Sequence, residues 1–130
     1  MNISDLMIGD VLLVNNVPQK VCIVDDHLKY KILTKGKDRV YIGDLEYVQP
    51  IPLDKNIIEK IGFVEIHKNV FRLDFGVDIY INIDWIAEKP LVTIHNYGNY
   101  SCPICNYLHE LQHAALTCGI KLDIDLNKIQ

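Results

Sequence analysis

The sequence predicts an α+β protein: a small N-terminal SH3-like β module, then an antiparallel sheet carrying a short helix and a longer C-terminal helix. Three observations predict it. Short alternating apolar stretches recur at roughly ten-residue spacing across residues 1–50. The cleanest period-2 pattern of the chain spans 77–85. Helical spacing appears in two places, at Ile57, Ile58 and Ile61 and again at Leu108, Leu111, Ala115 and Cys118.

In the first module, VLLV (11–14) is followed by a turn at Asn15-Asn16-Val17-Pro18, where asparagine tolerates unusual backbone angles. QKVCIV (19–24), LKYKIL (28–33), RVYIG (39–43) and LEYV (45–48) complete a meander with turns at Asp25-Asp26 and around Gly36. Pro50 and Pro52 mark the internal boundary, dividing the chain into 1–50 and 51–130. Asp54 then caps a helix over 55–61 that Gly62 stops.

FVEIH (63–67) and VFRLDF (70–75) flank Lys68-Asn69 as a hairpin. Val77, Ile79, Ile81, Ile83 and Trp85 should share the core face of the next strand, with Asp78, Tyr80, Asn82 and Asp84 facing away. Glu88-Lys89-Pro90 turns the chain into LVTIH (91–95), and NYGNYS (96–101) reads as a polar loop. Pro103 suits a first helical position, which makes Cys102 the cap of a helix running to Cys118, with Gly119 as its stop. IKLDIDL (120–126) alternates as a final strand.

The composition narrows the function class. Apolar residues make up 49% of 130, too many for a disordered chain. Thirteen basic against seventeen acidic residues exclude a polybasic coat. No run reaches the ~18 apolar residues of a membrane span, and MNISDLMIGD lacks the basic and apolar regions of a secretion signal. A cytoplasmic location and no membrane partner are the expectation. Cys22 and Cys118 then read as small hydrophobes.

Chemistry concentrates in residues 102–113. His109-Glu110-Leu111-Gln112-His113 matches H-E-x-x-H, in which two histidines hold zinc and the glutamate, here Glu110, is the general base. No histidine or glutamate follows His113 to complete the ligand set. Cys102, Cys105, His109 and His113 are zinc-type donors; 105 and 113 lie ~12 Å apart along a helix, too far for all four to meet one ion, which leaves a subset such as Cys102, Cys105 and His109 with a ligand from elsewhere. CPIC (102–105) resembles the CPxC of glutaredoxin-like proteins, where a helix start activates a thiolate, although only 25 residues follow Cys105. The plainer reading makes His109, Glu110, Gln112 and His113 a solvated helix edge. Non-enzymatic protein contact through Tyr97, Tyr100, Tyr107, His109, Gln112 and His113 is therefore favoured, with no cofactor. The enzymatic alternative is a zinc hydrolase. Nucleic acid is a second alternative: residues 27–39 carry Lys29, Lys31, Lys35, Lys37 and Arg39 against one acidic residue. On a sheet edge the same lysines discourage unwanted strand pairing.

Two segments carry a resemblance. Pro50, Ile51, Pro52, Leu53, Gly62 and Phe63 fit a P-I-P-L…G-F pattern. Tyr107, His109, Leu111, Gln112, His113, Leu116, Thr117 and Leu122 fit a Y-x-H-x-L-Q-H pattern with a trailing L-T-G segment. Both patterns resemble small uncharacterised proteins of gut Bacteroidetes and their prophages. In that group the position of Glu110 is often Gln and that of His113 often Asn. The chain departs from it at Leu108, where Val is usual, and at Cys118-Gly119-Ile120. The resemblance implies no activity, since none is known for the group.

Overall fold

The computed structural model describes residues 6–25, 31–35, 40–44 and 48–129, with side chains described over 6–22 and 48–129. It is a mixed α+β chain made mostly of strands, with two antiparallel sheets and two α-helices. Two compact units are present: Met1–Ile51 with Asp123–Gln130, and Pro52–Leu122.

The first unit contains β1 (Val11–Val14), β2 (Val17–Asp25), β3 (Lys31–Lys35), β4 (Val40–Asp44) and β5 (Val48–Gln49). Asn15 and Asn16 both take positive φ, at 50° and 64°, and close the β1–β2 hairpin as a two-residue turn of the primed type. The turn is therefore tighter than the four residues the sequence suggested, and Val17-Pro18 already belongs to β2. The sheet order is β4-β3-β2-β1-β5, with β5 returning beside β1. Among the described residues no ladder joins β4 to β5, so the closed barrel expected from the strand spacing is not seen. Leu6, Leu12, Val14, Val21 and Val48 form the core of this sheet. Asp10 is buried beside them, its carboxylate accepting the Met7 N–H at 2.8 Å and its carbonyl the Val21 N–H at 2.8 Å. Residues 120–126 form no strand. The tail instead ends in a single 3-10 turn at Leu126–Lys128, and Asp123 pairs with Lys20 of β2 at 3.1 Å.

The second unit opens with α1 (Lys55–Lys60). Asp54 Oδ1 accepts the Ile57 N–H at 2.7 Å, and Gly62 leaves the helix at φ +114°, as the cap and stop residues require. A five-stranded meander follows: β6 (Val64–His67), β7 (Val70–Gly76), β8 (Ile79–Ile86), β9 (Lys89–Asn96) and β10 (Asn99–Ser101), in the order β10-β9-β8-β7-β6. The register separates its two faces. Phe71–Ile83–Val92 and Leu73–Ile81–Ile94 line up across β7, β8 and β9 on the inner face. Arg72–Asn82–Thr93 and Asp74–Tyr80–His95–Tyr100 line up on the outer one. Helix α2 (Leu108–Thr117) completes the unit and buries Leu108, Leu111 and Ala115.

Three turns differ from expectation. Val77 sits in a turn with Asp78 and is 82% exposed, because β7 continues through Gly76 and β8 starts only at Ile79. Lys89 and Pro90 lie in β9, and the turn before them is Ala87-Glu88, both at positive φ. Residues 96–101 are not a loop: Tyr97 and Gly98, at φ 49° and 84°, form a tight turn into β10. Asparagine or glycine is the usual resident of such turns, so Ala87 and Tyr97 carry no local signal of them, and the turn expected at 88–90 lies at 87–88.

Candidate functional site

The H-E-L-Q-H run is spent on folding. Helix α2 does not begin at Pro103. Its N-cap is Tyr107, and Glu110 Oε1 accepts the N–H groups of Asn106 and Tyr107 at 3.0 and 3.1 Å. A glutamate three residues past the cap reaches back to orphan donors in this way. Asn106 is also fixed from outside, since its carbonyl accepts the Leu53 N–H at 3.0 Å and Tyr107 bridges Pro52. These contacts hold the chain extended up to Tyr107, and Cys102 caps nothing.

The CPIC segment therefore lacks the helix start that would activate a thiol. Cys102 is exposed, with its Sγ 3.9 Å from Thr93 Oγ1. Cys105 is buried, not on an exposed helix edge, and its thiol is pushed up to about 12 by burial and then by the nearby Glu110 charge. That is the opposite of an activated thiol.

His109 and Gln112 are not on a solvated edge either. His109 is 6% exposed, stacked on Tyr107 at 6.0 Å and edge-on to His113 at 5.7 Å. Gln112 is buried and its Nε2 donates to the Leu122 carbonyl at 3.4 Å. The chain leaving α2 at Gly119 thus returns along the helix and covers a side that periodicity alone marks as polar. His113 remains half-buried. Among the described residues no three His, Cys, Asp or Glu side chains are grouped to hold a metal ion. With Glu110 engaged at the helix cap, the zinc-hydrolase alternative finds no donor set there.

The basic hairpin lies largely outside the described residues: Lys29, Lys37 and Arg39 entirely, and Lys31 and Lys35 beyond their backbone pairing in β3. No described helix is long and apolar enough to cross a membrane.

The accessible candidates are the tyrosines. Tyr97 and Tyr100 are each 72% exposed, and Tyr107 is partly exposed. The β9–β10 hairpin holds the first two in place through fixed bonds. Tyr97 N–H donates to the Asp78 carbonyl at 2.9 Å, the His95 Nδ1 lies 2.9 Å from the same carbonyl, and Asn96 Nδ2 donates to the Cys118 carbonyl at 2.8 Å. Between this hairpin and the end of α2 is an open cleft of about 390 Å³, lined by Asn96, Tyr97, Asn99, Tyr100, Ser101, Thr117 and Cys118. Its lining carries no charged side chain.

One further constellation escapes the sequence. On the outer sheet face Arg72 lies over the Tyr80 ring at 4.1 Å, and Tyr80 stacks on His95 at 4.8 Å and 10°. Arg72 Nε also donates to Asn82 Oδ1 at 2.8 Å. Alternation marks Tyr80 as outward, but only the register brings residues from β7, β8 and β9 into one stack. The Tyr80 ring is engaged by both Arg72 and His95, and the cluster ties β7, β8 and β9 together on this face.

No family model, curated protein or solved structure matches the chain. Its function has to be read from the surface it leaves open.

Proposed function

We propose that the chain is a non-enzymatic accessory protein of the cytoplasm, prophage-encoded, which contacts a partner protein through the region 96–107. One observation carries this reading: two tyrosines, each 72% exposed, stand on a hydrogen-bonded hairpin beside an open cleft. Tyrosine gives a large contact area at low entropic cost, and exposed tyrosines on a fixed backbone are typical binding anchors. Ile104 at 87% exposure and the half-exposed Leu116 add apolar surface to the same unit. His109 and Gln112 are buried and His113 is half-buried, so none of the three offers the exposed surface that the tyrosines do.

The first unit reads as SH3-like. What supports this is the return of β5 beside β1 in the order β4-β3-β2-β1-β5. The bacterial prophage origin rests on the two sequence segments described above.

The test is affinity capture with the full chain and with its Tyr97→Ala/Tyr100→Ala variant. Proteins retained by the unaltered chain should fall at least about tenfold with the variant, as the loss of two anchors demands. Equal retention by the two chains, with matching circular dichroism spectra, overturns the reading.

A further inference from the structure

We propose that the partner met by region 96–107 is a second copy of this chain, joined to the first edge to edge along β10. This rests on the interaction reading above and names its partner.

Strand β10 is one edge of the five-stranded sheet, and its hydrogen-bonding phase follows from the turns at either end of β9. In a two-residue hairpin the residues flanking the turn exchange backbone bonds, and successive pairs then alternate between bonded and non-bonded. Asn96 and Asn99 flank the Tyr97-Gly98 turn, so they bond, and Tyr100 opposite His95 does not. Counting from the Ala87-Glu88 turn gives the same phase. Ile86 and Lys89 bond there, and the unbroken register makes Tyr80 and His95 a bonded pair, which commits the His95 backbone to β8. The N–H and carbonyl of Tyr100 therefore point away from the sheet, and neither has a partner among the described residues. The open cleft of about 390 Å³ lies beside them, lined by all three residues of β10.

The two edges of this sheet are built differently. Strand β6 carries Glu65 and His67, adjoins Lys68 and is broken by a bulge between Glu65 and His67. Charges and bulges keep an edge strand from pairing with another chain. Asn99, Tyr100 and Ser101 bring no charge, no proline and no bulge. Such an edge can take up a further strand through its backbone.

A second copy meets these conditions with its own β10. An antiparallel pair about a two-fold axis at Tyr100 sets the outward N–H of each copy against the outward carbonyl of the other. Asn99 then faces Ser101 of the other copy. Like residues meet at such an axis, so a charge there would repel its own image, and β10 has none. The two Tyr100 rings, each 72% exposed in the single chain, come side by side as an aromatic cross-strand pair. The same register carries Tyr97 of each copy toward Ile104 of the other, and Ile104 is 87% exposed. Three residues make a short ladder, so the dimer is reversible and these side chains supply much of its contact.

The experiment is sedimentation equilibrium of the full chain between about 1 and 500 µM, where mass action moves a reversible dimer through its transition. The mass should rise from 15.0 kDa toward twice that value. Tyr100→Lys and Tyr100→Glu each place like charges at the axis and should stay at the single-chain mass, whereas an equimolar mixture of the two should regain the dimer. Tyr100→Pro removes the outward N–H, a change that the open side of an edge strand tolerates, and should weaken association about tenfold beyond Tyr100→Ala. A single-chain mass at every concentration, dimers retained by the Lys or the Glu variant alone, or no recovery on mixing them overturns the proposal. If the chain stays single while the Tyr97/Tyr100 variant still loses its captured proteins, the surface stands and the second copy falls. If those proteins are retained as well, both fall.

Discussion

The H-E-L-Q-H run and the NYGNYS segment of one unit have exchanged the roles their sequences suggest. The first carries the residue types of a catalytic centre, yet Glu110 caps the helix, His109 and Gln112 are buried, and Leu111 is in the core. The second reads as a polar connection, yet it forms a fixed hairpin with two exposed tyrosines and an adjoining cleft. The difference teaches that a motif is available for chemistry only when the fold has no other use for it. Variants in the helix should therefore change stability and leave binding intact, whereas variants in the hairpin should do the reverse.

The largest effect falls on the helix. Leu111→Ala removes a fully buried side chain and should lower the unfolding free energy by about 2–5 kcal/mol in a denaturant titration. Glu110→Ala deletes the acceptor of two backbone N–H groups and should cost about 1–2 kcal/mol in the same measurement. Partner capture by the Glu110 variant, measured well below its unfolding midpoint, should be unchanged. A catalytic or recognition role for Glu110 would show as lost capture with little loss of stability.

The hairpin should answer with the opposite sign. Tyr97→Asn places a residue suited to φ 49° in the turn and should raise stability by up to about 1 kcal/mol. The same change should weaken partner capture, so the more stable protein is the poorer binder. A destabilised Tyr97→Asn variant would show that the ring supports the fold instead.

The smallest effect concerns the cysteines. At pH 8 a soluble alkylating reagent should label Cys102 in the folded chain and leave Cys105 unmodified, because the Cys105 thiol is held near 12 and its side chain is buried. The sign of the linkage follows. A thiol that ionises near 9 when unfolded and near 12 when folded contributes stability below pH 9, and that contribution is lost as pH rises between those values. Equal labelling of both cysteines at pH 8 would place Cys105 at the surface.

Legibility in the sequence followed local chemistry. The Asp54 cap, the Gly62 stop and the Lys68-Asn69 hairpin depend on residues within a few positions of one another, and all three are present. The start of α2 was misread because two local signals compete there. Pro103 favours a first helical position, but the Glu110 carboxylate and the long-range bond from Leu53 to Asn106 fix the start at Leu108. The buried side of His109 and Gln112 was hidden for a similar reason: it is covered by the returning chain at Leu122, a contact that no helical period encodes. Tyr97, Tyr100 and Tyr107 stand out as candidates by residue type, and the structure adds that they are exposed. The cleft, the strained turn under Tyr97 and the Arg72–Tyr80–His95 stack needed the strand register.

Site-specific photo-crosslinking compares the two regions most directly. A benzoylphenylalanine introduced at Tyr97 in one chain, and at His113 in another, reports which region meets the partner. The account predicts a covalent adduct from position 97 and none from position 113. Adducts formed only from position 113 would contradict it and return attention to the histidine-bearing helix.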